Sequence, residues 1–231
     1  MRARNATRAV NPERVAAVLF CCLLVSVAAL APSPQTAHAA TTYTWAGKGD
    51  GHSWGQEKNW HPDSGTPQDG DSVIISGTWT ILGVPTLSLE SLTVNGGTTN
   101  GPTLVGPGNT LTVKLLNWTQ GTIATSIIVS NVGQMLALGV DSPRIPPTLS
   151  NAYTQAGAPP VTFTNNGTVA QNGTFGLSSG PGGAQIVNQG RWIGGPGTIA
   201  SSHCCIDPGA FLNYGDVHLA GTLTIDHARF K

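Results

Sequence analysis

A seven-residue pattern, apolar-x-Asn-x-Gly-x-apolar, occurs four times in this chain. Its copies are Val129–Asn131–Gly133–Met135, Phe163–Asn165–Gly167–Val169, Ile186–Asn188–Gly190–Trp192 and Phe211–Asn213–Gly215–Val217. The last three asparagines are 23 and 25 residues apart, and the first gap is 34. A period in the low twenties is the mark of a solenoid, in which one repeat is one coil and cannot bury its apolar face alone. Around the second and fourth copies the apolar residues keep strict alternation, as in Val161, Phe163, Val169, Phe175 and Leu177. Period two means strands with one face inward and one outward. The expected fold is therefore all-β, a right-handed parallel β-helix of roughly seven or eight coils.

An Asn on the inward parity is costly unless its amide is paired. Stacked coils place each Asn over its copy, so the side chains can hydrogen-bond along the stack and to turn backbone. Gly133, Gly167, Gly190 and Gly215 are expected to supply a positive φ at the corner that follows. The upstream runs Leu87 and Leu89, Leu92 and Val94, and Leu111, Val113 and Leu115 read as further short strands. The long first gap contains Pro143, Pro146, Pro147, Pro159 and Pro160. Residues 141–160 are accordingly expected to form a loop thrown out from one corner, with Arg144 and Tyr153 as candidate ligand contacts.

Residues 1–40 read as a secretory signal peptide. Arg2, Arg4, Arg8 and Arg14 precede the apolar run from Val15 to Ala31, and Ala37-His38-Ala39 supplies a small-x-small cleavage site. The run is 17 residues, short of a membrane span. The chain is thus expected to be secreted or at the cell surface, with no membrane span after cleavage. The mature part keeps seven Lys/Arg against ten Asp/Glu. With no basic cluster, nucleic acid and anionic membranes are not expected partners.

Residues 41–76 differ from the repeats. They carry Trp45-Ala-Gly47, Gly49-Asp50-Gly51, Ser53-Trp54, Asn59-Trp60, Pro67 and Asp69-Gly70-Asp71 ahead of a first strand at Val73–Ile75. Three of the six tryptophans lie within sixteen residues. Two readings fit: an end cap that plugs the stack with Trp45, Trp54 and Trp60, or an aromatic platform for sugar rings. The cap is the reading preferred here, followed by repeats over 77–231. This stretch, together with the Asn-x-Gly repeats, resembles bacterial secreted parallel β-helix proteins, autotransporter- and adhesin-like, of the pectin-lyase-like fold. The resemblance implies the same fold with an amino-terminal cap and an exported protein. It says little of activity, because such proteins include adhesins, polysaccharide lyases and glycoside hydrolases.

A glycosidase needs two carboxylates across one cleft, and no pair recurs at coil spacing in mid-stack. A lyase of the resembled kind implies a basic residue near carboxylates. Arg191 and Asp216 share one repeat position and are the weak catalytic candidates; a surface ion pair is the plainer expectation. Asp69-Gly70-Asp71 is read as a turn rather than a calcium loop, and no metal or cofactor is expected. Cys204 and Cys205 are adjacent, which fits a vicinal disulfide better than a metal site. Asn117-Trp118-Thr119 is a formal glycosylation sequon, read as turn residues. The expected function is a non-enzymatic surface or adhesion-type protein whose partner is a polysaccharide or another cell-surface component. The alternatives are a β-helical lyase or hydrolase and a structural spacer module.

Overall fold

The computed structural model describes residues 39–96, 100–136, 146–151, 160–178, 183–201, 209–226 and 229–230. These lie in one unit, Ala39–Lys231. The segment read as a signal peptide, up to residue 38, lies outside the described residues, as do Arg144, Tyr153, Cys204 and Cys205.

The chain is all-β apart from one 3₁₀ turn at Glu57–Asn59. Its strands are β1 (Thr42–Trp45), β2 (Trp60–His61), β3 (Ser72–Ser76), β4 (Thr80–Leu82), β5 (Leu87–Asn95) and β6 (Thr103–Trp118). There follow β7 (Thr122–Leu136), β8 (Thr148–Ser150), β9 (Val161–Asn165), β10 (Thr168–Ser178) and β11 (Ala184–Asn188). The last are β12 (Arg191–Ser201), β13 (Ala210–Asn213), β14 (Asp216–Leu219), β15 (Leu223–Asp226) and β16 (Arg229–Phe230). All sixteen belong to one hydrogen-bonded sheet, and every strand pair except β1–β2 is parallel. The sheet is not closed.

Three ladders run through it in register. One joins Leu89, Val113, Val129, Asn165, Asn188 and Asn213. A second joins Tyr43, Val73, Leu92, Leu116, Gly133, Val169, Trp192 and Val217. The third joins Ile81, Leu104, Ile123, Leu149, Leu177 and Ser201. Most members are fully buried, so each ladder is a stack of side chains facing one shared core. The strands read as alternating because only that face is inside. In the later layers the core becomes aromatic: Trp192 meets Phe163 and Phe211 edge-on at 6.0 and 5.2 Å, and Phe175 meets Trp118 at 5.4 Å.

The Asn residues form a hydrogen-bonded column. Asn165 Nδ2 donates to Asn188 Oδ1 and Asn188 Nδ2 to Asn213 Oδ1, both at 2.7 Å. Each amide also donates to a backbone carbonyl, Asn165 to Arg191 and Asn188 to Asp216. At the end of the column Asn213 Nδ2 turns back to Gly215 O.

Three expectations are corrected. First, Asn131 is not in this column. Asn165 pairs with Val129, and Asn131 is exposed at the place that Gly167 takes one layer later. The true step is 36 residues, not 34, because Val132 pairs with Thr168 and Gly133 with Val169. A slip of two leaves face parity unchanged, so the seven-residue pattern matches in the wrong register. Second, none of Gly133, Gly167, Gly190 and Gly215 has a positive φ. The last three are needed for close approach. A Cβ on Gly167 would collide with Asn131 O, on Gly190 with Gly167 O, and on Gly215 with Gly190 O. Third, residues 141–160 are not wholly a projecting loop. Thr148–Ser150 is a strand between β7 and β10, and Leu149 is fully buried.

Two stability predictions follow from the column. Asn188→Ala strips partners from the buried Asn165 amide and the half-buried Asn213 amide and is expected to cost about 2–4 kcal/mol, whereas Asn131→Ala, exposed and out of register, should stay within about 0.5 kcal/mol. Urea unfolding midpoints check both; equal effects would refute the register. Gly190→Ala should cost about 1–3 kcal/mol by forcing layers apart, whereas Gly55→Ala, with nothing within 4 Å of its Cβ, should be near neutral. Thermal melts of the two variants decide it.

Candidate functional site

The amino-terminal motif is consumed by structure. Asn59, fully buried, accepts from the backbone N–H of Gly49 and Gly51 at 2.8 and 3.1 Å. Its Nδ2 donates to Asp50 Oδ1 at 2.6 Å and to Ser53 O at 3.0 Å. The same Asp50 oxygen accepts from His52 N and Ser53 N at 3.0 and 2.8 Å. The hydrogen bonds from Ser53, His52 and Asn59 hold the Asp50 carboxyl well below the usual carboxylate range. Gly-Asp-Gly and Asn-Trp are thus two halves of one clamp. The clamp fixes the loop whose Trp54 N–H donates to Leu82 O of β4. Trp45, Trp54 and Trp60 are buried, with Trp60 edge-on to Trp45 at 4.9 Å and to Trp54 at 4.7 Å. Trp60 Nε1 donates to Trp54 O at 2.7 Å. Their faces are covered by one another, so they present no platform to a sugar ring.

Asp69 and Asp71 are likewise engaged by backbone. Asp69 accepts from Ser88 N, and buried Asp71 accepts from Thr41 N and Gln68 N. The Asp71 carboxylate closes the turn around Gly70, whose φ is +89°, and Asp69 ties that turn to β5. Glu90 is paired with Lys114 at 2.6 Å. Among the described residues no group of three or more His, Cys, Asp or Glu could hold a metal ion.

Arg191 and Asp216 are direct register partners on β12 and β14, both exposed. They share the outer surface near the edge of the sheet, where β14 has β12 as its partner. The structure sets them side by side on an open strand surface; it does not bring a second carboxylate of the described residues into register with them.

One site escaped the sequence reading. On the outer surface of β5, β6 and β7 a groove of about 300 Å³ is lined by Ser91, Thr93, Leu115, Asn117, Val132 and Gln134. Ser91, Leu115 and Val132 form one row across the strands, and Thr93, Asn117 and Gln134 form the next. Leu115 and Val132 are 45% and 38% exposed. Sequence alternation placed Leu115 inside with Leu111 and Val113. The strand bends at Lys114, and the buried positions run Leu111, Val113, Leu116, Trp118. That three-residue step turns Leu115 and Asn117 outward. Asn117, read as a turn residue, stands in the strand. The legible signal was the paired apolar Leu115-Leu116: two adjacent apolar residues cannot both face one core in a strand.

A comparison with family models, characterised proteins and solved structures finds no match to this chain.

Asp50 carries a pH prediction. A carboxyl with a lowered folded pKa contributes stability above its unfolded value, near 3.8, and loses it as pH falls toward the lower folded value. The wild-type melting temperature should therefore drop below about pH 4, and Asp50→Asn should flatten that part of the profile. Identical slopes for the two proteins would show that the clamp is not charge-dependent.

Proposed function

We propose that this chain is a right-handed parallel β-helix with an amino-terminal cap, exported through a signal peptide, and acting at or beyond the cell surface as a non-enzymatic adhesion-type protein that contacts carbohydrate. The three parallel ladders, advancing mostly 23–25 residues per layer in the later repeats, support the β-helix. The Arg-rich start and apolar run support export. The resemblance of the cap motif to autotransporter- and adhesin-like β-helix proteins supports the surface role. Among the described residues no helix is long and apolar enough to cross a membrane.

One observation carries the non-enzymatic reading. Four of the described acidic residues of the amino-terminal segment and first layers hold the chain together, Asp50, Asp69 and Asp71 by accepting backbone N–H groups and Glu90 by pairing with Lys114, while Glu57 and Asp63 stand exposed on the surface. A hydrolase needs a carboxylate pair free to exchange protons across a cleft. Fully engaged carboxylates do not supply one.

The register pairing of Arg191 with Asp216, which no ion pair joins, favours a second reading, a polysaccharide lyase or hydrolase working on that surface. The two are separated by incubating the purified chain with a panel of cell-wall and plant polysaccharides, scoring co-sedimentation together with new reducing or unsaturated ends. Binding without new ends is expected, and Arg191→Ala and Asp216→Ala should each shift stability by no more than about 0.5 kcal/mol. New ends that vanish in either variant would replace the adhesion reading with the enzymatic one. Neither binding nor new ends would leave a spacer module.

A further inference from the structure

The outer groove over β5, β6 and β7 sets polar side chains that have no partner among the described residues beside exposed aliphatic ones. Some outward polar groups elsewhere on the sheet are spent within the protein. Thr119 Oγ1 donates to Asn95 Oδ1 at 2.9 Å, Gln185 to Thr162 Oγ1 at 3.0 Å, and Ser130 Oγ to Val113 O at 3.1 Å. In the groove, the hydroxyls of Ser91 and Thr93 and the amides of Asn117 and Gln134 have no hydrogen-bond partner in the protein among the described residues. Beside them Leu115 and Val132 leave aliphatic surface in water. Unspent amides next to exposed aliphatic groups, in one concave site, are the composition of a ligand site.

We propose that this groove binds a neutral glycan chain bearing acetamido groups, a polymer of N-acetylhexosamine type. The inference rests on the carbohydrate-contacting reading above and names its site and ligand class. Three features select the ligand. The first is charge: the six residues named carry none, and the nearest described charges along the strands, Glu90 and Lys114, neutralise each other at 2.6 Å. An anionic uronate or phosphate polymer would give up water in the groove without a cation among the groove's lining; the exposed Arg191 in the same row lies two strands away, opposite Asp216. The second is spacing. Leu115 and Val132 stand opposite each other on adjacent strands, as do Asn117 and Gln134, two residues further on. Strands lie about 4.8 Å apart and residues two apart on a strand about 7 Å, so an aliphatic pair and an amide pair form two short parallel rows. An acetamido group offers a methyl beside an amide dipole, and its N–H and C=O match a side-chain amide donor for acceptor. A plain glucan has hydroxyls for the amide row but no methyl for the aliphatic row. The third is size. A volume of about 300 Å³ is at the small end of ligand sites, room for a short stretch of a chain rather than a globular partner. Hydroxyls at Thr168 on one side of the groove and Ser72 on the other continue the first row across the sheet.

The test titrates the purified full chain with N-acetylglucosamine tetramer, cellotetraose and tetragalacturonate, by calorimetry. Binding of the acetylated tetramer, with cellotetraose weaker by about tenfold or more and tetragalacturonate not bound, is the expected order. Asn117→Ala with Gln134→Ala, and separately Leu115→Ser, should each weaken the acetylated tetramer by about tenfold. All three side chains are exposed, so an unchanged melting temperature is expected and checks that the fold is intact. Tyr214→Ala, exposed near the last layer, should bind as the wild type does. Undiminished binding by both groove variants would overturn the site while leaving the carbohydrate reading in place. Tighter binding of cellotetraose or tetragalacturonate would overturn the ligand class. Loss of all glycan binding in the wild type, on this panel and on the polysaccharides, would sink both readings together.

Discussion

Every strand pairing in this protein except β1–β2 is parallel and joins segments distant along the chain, from 16 residues apart at Val113 and Val129 to 36 at Val129 and Asn165. A parallel ladder puts residue over residue at one strand spacing, so each layer must be made to fit the backbone of the layer beneath it. The Gly167, Gly190 and Gly215 column shows how tight that fit is: each glycine lies where a Cβ would strike the carbonyl of its predecessor. The same closeness lets Asn165, Asn188 and Asn213 reach one another. Amide and glycine are two sides of one corner, one supplying hydrogen bonds along the stack and the other the space to form them.

That corner has a history along the chain. In β5 and β6 the turn between the first and second ladders is short, Leu89 to Ser91 and Val113 to Leu115. In β7 it lengthens, since Val113 pairs with Val129 but Leu115 pairs with Val132. The extra residue is the register shift that creates room for the Asn-x-Gly corner of the later layers. Asn131 is the first occupant of the glycine position and can keep its side chain because the preceding layer has no residue stacked in that place. The groove on the outer surface straddles this change, with Leu115 from the shorter turn next to Val132 from the longer one.

The Trp-rich amino-terminal segment is a different solution to the stacking constraint. A first layer has no predecessor, so its inner face must be covered by side chains instead of by a strand layer. Tyr43, Trp45, Trp54 and Trp60 provide that cover, and the Asn59–Asp50 clamp replaces ladder hydrogen bonds with side-chain ones. Conserving buried area and satisfying backbone N–H groups are the same two requirements that the repeats meet by stacking. The carboxylates that might have suggested chemistry are there because a negatively charged acceptor is the strongest partner for several converging N–H groups.

The sequence by itself determined what depends on local spacing: an all-β chain, two-residue alternation, a period in the low twenties, an Asn column through residues 165, 188 and 213, and a distinct Trp-rich amino-terminal segment. It could not determine what is set by partners more than twenty residues away. Asn131 passed for a column member because a slip of two preserves which face a residue takes, and only the pairing of Asn165 with Val129 exposes the slip. Leu115 passed for core because alternation counted through Lys114 hides the bend there. The glycines passed for positive-φ corners because a missing Cβ serves both conformational freedom and close approach, and the neighbouring layer decides which. The outer groove, assembled from three strands by register, had no representation in any one stretch of chain. Parity is a property of neighbours in sequence; register is a property of neighbours in space, and only the tertiary structure fixes it.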